Sequence, residues 1–183
     1  MPREVIVVDY DPRWPRTFEA LRDRALGALD GIACRIEHVG STSVPGLAAK
    51  PIVDLDVIVS PSEPLEGVIA RLGAIGYVHI GNLDVEGREA FRPPPGDPPH
   101  NLYVCPEDSP ALRNHLRFRD HLRAHPEVAK AYGELKKSLA PRFRHDISGY
   151  VEAKTDFIVG ILQELGFPSE ELDTVLRINK RPK

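Results

Sequence analysis

The feature that most constrains the fold is an apolar segment that carries two aspartates, residues 53–59, Val-Asp-Leu-Asp-Val-Ile-Val. In a strand, side chains alternate between faces, so Asp54 and Asp56 lie on one face, about 7 Å apart, with valine and leucine on the other. Like charges on one strand face repel each other, and Asp is a poor strand former. A cation between the carboxylates would relieve the repulsion, and Mg²⁺ prefers oxygen ligands. The pair therefore predicts a metal site, with a solvated strand edge as the alternative.

A Gly-Ser-Thr-Ser turn precedes this strand. Gly40 permits close backbone approach to a ligand, while Ser41 and Thr42 offer hydroxyl and amide groups to a phosphate. Lys50 adds a cation nearby. The pattern is not a P-loop, because five residues rather than four separate the two glycines, and Leu47 stands where that motif requires lysine. Phosphate donors beside a metal-binding strand predict phosphoryl or nucleotidyl transfer.

Length and composition indicate a single domain with a substantial core. The chain has 183 residues, of which 42% are hydrophobic and 28% charged. The formal net charge of −3 argues against a general nucleic-acid binder. The apolar run at 5–8 is too short for a signal peptide or a membrane span, so a cytoplasmic protein without membrane contact is expected.

The order of predicted elements indicates an α/β (α+β) fold. Strands are predicted at 5–8, 32–39, up to 59, 77–80, 90–92 and 100–105, and helices beginning at Asp11-Pro12, Ser60-Pro61, Ser109-Pro110, Pro126, Asp146 and Ser169. The proline-rich segment 93–99 is predicted to be a surface loop in polyproline II conformation. This order predicts one domain, 1–183, with a small mixed sheet and flanking helices in 1–108 and a helical C-terminal part in 109–183.

Two charge patterns in the helical part leave alternatives open. Residues 111–145 carry nine lysines and arginines against three acidic residues. They could cradle a polyanion, although solvated helix faces account for the same charges. Farther along, Tyr150 and Lys154 are one helical turn apart and share a face. They could contact a substrate or simply snorkel at the surface. His38 could likewise face the site or be a hydrogen-bonded packing residue.

The segment 38–54, His-Val-Gly-Ser-Thr-Ser-Val-Pro-Gly-Leu-Ala-Ala-Lys-Pro-Ile-Val-Asp, closely resembles the signature of the GrpB-like family. The resemblance continues through Asn101-Leu-Tyr-Val, residues 117–126 and the Asp146, Tyr150, Lys154 series, and it covers nearly the whole chain. That family is similar to nucleotidyltransferases of the polymerase-beta-like superfamily. It is also found appended to dephospho-CoA kinase in some bacteria, which implies a functional link to that enzyme.

The resemblance implies roles for the two motifs. In that superfamily a Gly-Ser turn holds the triphosphate, and an Asp-x-Asp strand binds two Mg²⁺ ions. A third carboxylate normally comes from a later strand. Here the later strand offers His100, Asn101 and Tyr103 but no carboxylate. Asp84 or Glu86 could replace it only if their loop folds back toward the site.

The leading hypothesis is metal-dependent transfer of a nucleotidyl or phosphoryl group from an NTP to an unidentified acceptor. Asp54 and Asp56 would be catalytic and would hold Mg²⁺. Expected substrate contacts are Gly40, Ser41, Thr42, Lys50, His100, Tyr150 and Lys154. The alternative is a non-catalytic module that binds a nucleotide or another phosphorylated small molecule, and the missing third carboxylate favours it. Nucleic acid is not an expected partner.

Overall fold

The computed structural model describes residues 4–180, whose centre is a five-stranded mixed sheet. The strands are β1 (Cys34–Val39), β2 (Val53–Val59), β3 (Val78–Gly81), β4 (Glu89–Arg92) and β5 (His100–Pro106), and the helices are α1 (Trp14–Ala28), α2 (Leu65–Ala74), α3 (Pro110–Ala124), α4 (Pro126–Arg142), α5 (Ile147–Glu164) and α6 (Ser169–Asn179). The strand order is β1-β2-β5-β4-β3. Only β2 and β5 pair in parallel; the other neighbours are antiparallel. The predicted α/β class is confirmed.

The two faces of the sheet carry different layers. On one face, Leu29 after α1 and Leu72 of α2 pack with Val57 and Leu102 in the largest apolar cluster. On the other face, Leu112 of α3 packs on the sheet beside Ile58 and Cys105. The aspartates of β2 therefore point toward the layer that contains α3. Within residues 4–180, no helix combines the length and apolarity needed to cross a membrane.

Two predicted helix caps are confirmed, and two predicted starts are wrong. The Ser109 hydroxyl accepts the Leu112 N–H at 3.1 Å, and the Asp146 carboxylate accepts the Gly149 N–H at 2.9 Å. Helix α1 begins at Trp14 rather than at Asp11-Pro12, and the Asp11 carboxylate accepts the Arg13 N–H at 2.9 Å in the turn before it.

Helix α2 begins at Leu65 instead of Ser60-Pro61. A residue that precedes proline is disfavoured in the helical region, so Glu63 cannot start the helix ahead of Pro64. Pro64 itself is extended, with ψ at 117°. The chain between β2 and α2 is therefore a turn in which the Glu63 N–H donates to the Ser60 carbonyl.

The proline-rich loop 93–99 is tied to the sheet and to α1. The Arg24 guanidinium of α1 pairs with Asp97. The Pro98 carbonyl accepts from His100 Nδ1 at 2.7 Å, and the Pro99 carbonyl accepts the Val53 N–H at 3.1 Å. These bonds hold the loop that leads into β5 on the α1 side of the sheet.

The basic residues of 111–145 do not all lie on solvated faces. Arg119 is buried and its guanidinium donates to Glu37 at 2.7 Å. Arg123 donates to the Ser43 carbonyl at 2.9 Å, and Lys136 is 2% exposed. Part of the positive charge therefore serves to join the helices to β1 and to the turn that follows it.

The turn after β1 depends on one glycine. Gly40 has φ 68° and ψ −174°, a backbone region almost restricted to glycine. Its Cα lies so close to the Asp54 carboxylate that a Cβ would overlap Oδ2. The short 3₁₀ turn Ser41–Ser43 follows, with the Ser43 N–H donating to the Gly40 carbonyl at 3.2 Å. The turn is thereby pressed against the aspartate of β2.

Replacing Gly40 tests this contact. Gly40→Ala should lower the free energy of unfolding by at least about 2 kcal/mol, because the side chain is strained at this φ and overlaps Asp54. Urea unfolding measures the change. Gly27 is the matched control, since it is an exposed helical glycine with no atom within 4 Å of an added Cβ. Gly27→Ala should be neutral or stabilising by up to about 1 kcal/mol. Equal effects of the two changes would contradict the assignment.

The environment of His38 predicts a pH dependence of stability. His38 stacks on Phe18 at 4.5 Å, and its Nε2 lies 3.0 Å from the Thr42 hydroxyl. Burial, with Arg123 and Arg119 nearby, lowers the pKa of His38 to about 4. The unfolded chain takes up this proton below about pH 6.5 and the folded protein does not. The free energy of unfolding should therefore fall by about 2 kcal/mol between pH 7.5 and pH 5 on account of His38 alone.

Denaturant unfolding across that pH range separates His38 from other titrating groups. His38→Gln should be less stable than the parent at pH 7.5 and should show a flatter pH profile. The exposed His145→Gln provides a control that should keep the parent's profile. A parallel shift of the His38→Gln profile, without flattening, would show that His38 is not the group responsible.

Candidate phosphate and metal site

A cavity of about 630 Å³ opens between the start of β2 and the helices α3, α4, α5 and α6. This volume lies in the range of small-molecule sites. Seven residues singled out from the sequence line it: Gly40, Ser41, Thr42, Lys50, Asp54, Tyr150 and Lys154. The Gly-Ser turn, the first aspartate and the α5 pair, which are far apart in the sequence, are therefore brought to one place by the fold.

His100 does not belong to this group. It pairs in register with Val53 and points with it to the α1 side of the sheet. Its ring is 2% exposed, with Nε2 2.8 Å from the Tyr77 hydroxyl and Nδ1 2.7 Å from the Pro98 carbonyl. The structure removes His100 from the candidate substrate contacts, because strand alternation places it on the face opposite Asp54.

Asp54 lies at the wall of the cavity next to β5. Asn101, its register partner in the parallel pair, donates Nδ2 to Asp54 Oδ1 at 2.7 Å. Burial raises the pKa of the Asp54 carboxyl, while the Asn101 bond, His115 and Lys50 act in the opposite direction. The later strand thus supplies an amide donor at the position next to Asp54, where a metal site would use another acceptor.

Asp56 is deeper than Asp54 and does not line the cavity. It is 0% exposed, and its Oδ2 accepts from Nδ1 of His115 at 2.8 Å. Burial opposes protonation of His115, but Asp56 outweighs that effect and raises the pKa of the imidazole. His115 itself lines the cavity, so it lies between the second aspartate and the ligand space.

Lys136 of α4 contacts the Gly-Ser turn from inside the cavity. Its Nζ donates to the Ser41 hydroxyl at 2.8 Å and lies 4.5 Å from the centre of the Tyr132 ring. Burial, together with Lys154 and Lys50, lowers the pKa of Lys136 to about 6, and Asp54 opposes the shift. In the part of the chain that the structure describes, Lys136 forms no salt bridge.

Two further lysines approach the ring of Tyr150. Nζ of Lys50 lies 5.9 Å and Nζ of Lys154 5.6 Å from its centre. Burial lowers the pKa of Lys154, and Asp54 acts against this shift. Lys154 lines the cavity, and the Asp146 carboxylate caps α5.

Sequence reasoning did not single out His115 or Lys136 as site residues. The helical spacing of both residues nevertheless indicated that they lie on buried helix faces. In α4, Lys136 follows Tyr132 by four residues and lies on the same face as the apolar residues of the helix. In α3, His115 falls three residues after the buried Leu112. A polar side chain on an apolar helix face indicates a buried partner, but it cannot say which partner.

One oxygen of the aspartate pair lacks a partner that a divalent cation could supply. Asp56 Oδ1 is buried and has no hydrogen-bond partner among residues 4–180, and such an oxygen is normally satisfied. A cation held by this oxygen and by Asp54 would satisfy it. Glu86 lines the cavity, so its loop does approach the site. Even so, residues 4–180 contain no group of three Asp, Glu, His or Cys side chains placed to hold an ion together.

Part of the cavity lining is apolar. Phe118, Ile158 and Phe167 line the cavity together with Val175 and Ile178 of α6, beside the polar Glu170, Glu171, Thr174 and Asn179. The site thus combines hydroxyl and ammonium groups with apolar side chains. This arrangement suits a ligand that joins phosphate groups to a less polar body.

Comparison with known proteins gives the family. The family model described as GrpB protein matches residues 4–164. UPF0157 protein YqkA from Bacillus subtilis is 34% identical over 156 residues, which cover 85% of this chain and 46% of that protein. The chain thus spans about half the length of this relative. The crystal structure of the conserved protein GrpB from Enterococcus faecalis is 35% identical, with a TM-score of 0.78 and coverage of 92% of this chain and 98% of that one.

A more distant likeness identifies the fold. The Cid1 poly(U) polymerase, as its H336N mutant bound to MgATP, matches with a TM-score of 0.51 at 14% identity, over 75% of this chain and 47% of that one. At this identity the match concerns the fold alone. It agrees with the five-stranded mixed sheet and its flanking helices, which form a nucleotidyltransferase-like fold. With most of its length matched by the family model and by one relative of known structure at 35% identity, the chain belongs to the GrpB family.

Proposed function

We propose that the cavity binds a nucleoside triphosphate and that the protein transfers a nucleotidyl or related phosphoryl group from it. The observation that carries this proposal is that Lys50, Lys136 and Lys154 line one cavity with Ser41, whose hydroxyl accepts from Lys136. Burial of several ammonium groups in one cavity is unfavourable unless an anion compensates them. A polyphosphate chain supplies several negative charges in a row and would provide this compensation.

The residues of the turn and helices would bind and orient the phosphates. Ser41 would donate its hydroxyl to a phosphate oxygen, and Lys136, which already contacts Ser41, would contact the same group. Lys50 and Lys154, whose Nζ atoms lie near the Tyr150 ring, would contact further phosphate oxygens. The apolar side chains of α5 and α6 would cover the less polar part of the nucleotide and exclude water from it.

Mg²⁺ would be held by Asp54 and Asp56, and when bound it would neutralise phosphate charge and polarise the reacting phosphoryl group. Nucleotidyl transfer breaks the bond between the α- and β-phosphates, joins the α-phosphorus to an acceptor oxygen and releases pyrophosphate. The fold that the chain shares with a poly(U) polymerase bound to MgATP supports this reaction class. The chain itself would contribute positioning and electrostatic stabilisation, which dominate phosphoryl-transfer catalysis.

A second candidate function is binding without chemistry. The specific observation in its favour is that Asp56 is completely buried behind His115, while no third carboxylate joins the pair within residues 4–180. Both functions share the phosphate contacts. Pyrophosphate release from an NTP in the presence of Mg²⁺ and candidate acceptors distinguishes them, since a binding module would hold the nucleotide without turnover.

Neighbouring lysines of α4 provide a matched test of the phosphate site. Lys136→Met should weaken the binding of ATP and of inorganic triphosphate at least tenfold, because it removes the ammonium group at Ser41. The melting temperature should stay equal or rise, since methionine replaces a buried amine. Calorimetric titration measures the affinity, and thermal unfolding measures the stability.

Lys137→Met is the control for this test. Lys137 is the next residue in the chain, but it pairs with Asp9 at the surface. Its replacement should leave both ligand affinities within about twofold of the parent, as expected for a surface ion pair. Parent-like affinity of Lys136→Met for both ligands would overturn the proposed site.

A further inference from the structure

Arg88 lines the cavity and, among residues 4–180, forms no salt bridge. It stands immediately before β4, and its Nε is buried without a hydrogen-bond partner in this part of the chain. The nearby Glu89 pairs with His79 instead. Buried polar groups are normally hydrogen-bonded, so an acceptor supplied by a ligand would complete this one.

The side chain of Arg88 is held in place by its neighbours. Its guanidinium lies 4.5 Å from the centre of the Tyr103 ring. The preceding Gly87, with φ 69°, is so close to Ser109 that an added Cβ would lie 2.7 Å from the Ser109 Cβ. A guanidinium over an aromatic ring keeps its N–H groups for an oxyanion, which it can bind through two parallel hydrogen bonds. Arg88 is therefore arranged to receive a carboxylate or a phosphate group.

The register of the sheet places Arg88 apart from β2. Tyr103 of β5 pairs with Asp56 of β2 on one side and with Ala90 of β4 on the other. Arg88 is two residues before Ala90, so strand alternation directs it to the same face, in agreement with its contact with Tyr103. Two strand spacings, about 10 Å, separate the backbones of β2 and β4. The guanidinium therefore reaches the cavity from the β4 side of the sheet.

The lysines of the cavity come from other elements. Lys50 precedes β2, while Lys136 and Lys154 belong to α4 and α5. These lysines affect one another, since burial and then Lys154 and Lys50 lower the pKa of Lys136. Arg88 is instead among the charges that act on the pKa of His115, on which burial has the largest influence. The cavity thus presents two positively charged regions, one at the lysines and one at Arg88.

Two positively charged regions match a reaction with two substrates. Nucleotidyl transfer requires an acceptor beside the triphosphate, and the attacking and leaving oxygens lie roughly in line at the reacting phosphorus. With the phosphates on the lysines, the acceptor would come to the aspartates from another side of the cavity. Arg88 supplies the N–H donors on the β4 side.

We propose, on the basis of the proposed function, that Arg88 binds a carboxylate or phosphate group of the acceptor. The acceptor is then an anionic small molecule rather than a neutral one. Arg88 is a substrate-binding residue that determines acceptor specificity, and it has no part in holding the triphosphate.

Three related compounds that differ in charge test this inference: glycerol, glycerate and glycerol 3-phosphate. The protein is first saturated with α,β-methylene-ATP and Mg²⁺, so that the lysines are already occupied. Ligand-observed NMR titration should show at least one of the two anions binding about tenfold more tightly than glycerol, because it gains charge-assisted hydrogen bonds. The tighter of the two anions distinguishes a carboxylate acceptor from a phosphate acceptor.

Arg88→Gln should lose this preference for the anion. Its affinity for α,β-methylene-ATP should stay within about twofold of the parent, as expected for a residue that does not contact the triphosphate. Arg92→Gln is the matched control, because Arg92 ends the same strand, is exposed and does not line the cavity. It should bind all three compounds as the parent does.

Equal affinity of the parent for the three compounds, or binding of none of them, would overturn the inference while leaving the proposed function intact. A loss of α,β-methylene-ATP affinity in Arg88→Gln of about tenfold would do the same, since it would assign Arg88 to the triphosphate. Absence of nucleotide binding to the parent would overturn both. The comparison of the three compounds in the parent decides the matter even where Arg88→Gln does not fold.

Discussion

The placement of two carboxylates on the central strand, one partly and one fully buried, is the constraint on which the rest of the structure depends. Asp54 and Asp56 face the helical layer from β2, and Asp56 has no exposed surface. Charges removed from water must be compensated by hydrogen bonds or opposite charges, or the fold would be strongly destabilised. The amide of Asn101 on β5 and the imidazole of His115 on α3 provide part of this compensation. Strand pairing and helix docking are thereby coupled to the site.

The Gly-Ser turn packs against one of these two carboxylates. Only a glycine allows the backbone at position 40 to lie against the Asp54 carboxylate with φ 68°. This contact places Ser41 where the buried amine of Lys136 can donate to it. Helix α4 is thus joined to the turn by a polar contact within an otherwise apolar cluster around Leu47 and Tyr132. The backbone conformation of Gly40 thus positions Ser41, and Lys136 then contributes its amine to the same place.

The charged groups of the cavity affect the protonation of its lysines in opposite directions. Asp54 favours protonation of Lys136 and Lys154, while the mutual proximity and burial of the lysines disfavour it. The lysines are stacked near tyrosine rings, which attract cations weakly and add no negative charge. A bound polyanion would change this balance more than any residue of the chain does. The site is therefore arranged for a ligand that brings its own negative charge.

The sequence by itself determined the α/β class, most element positions and the face on which the two aspartates lie. Alternation along a strand and spacing along a helix are local properties, which is why the caps at Ser109 and Asp146 were also predictable. The sequence analysis placed His100 with the site, but alternation along β5 puts it on the face of Leu102, and its register with Val53 puts that face on the α1 side of the sheet. Only the tertiary structure brought His115 and Lys136 to the aspartates and the turn. Their contacts span 59 and 95 residues, and pairings of this range are decided by how helices dock on a sheet rather than by any local pattern.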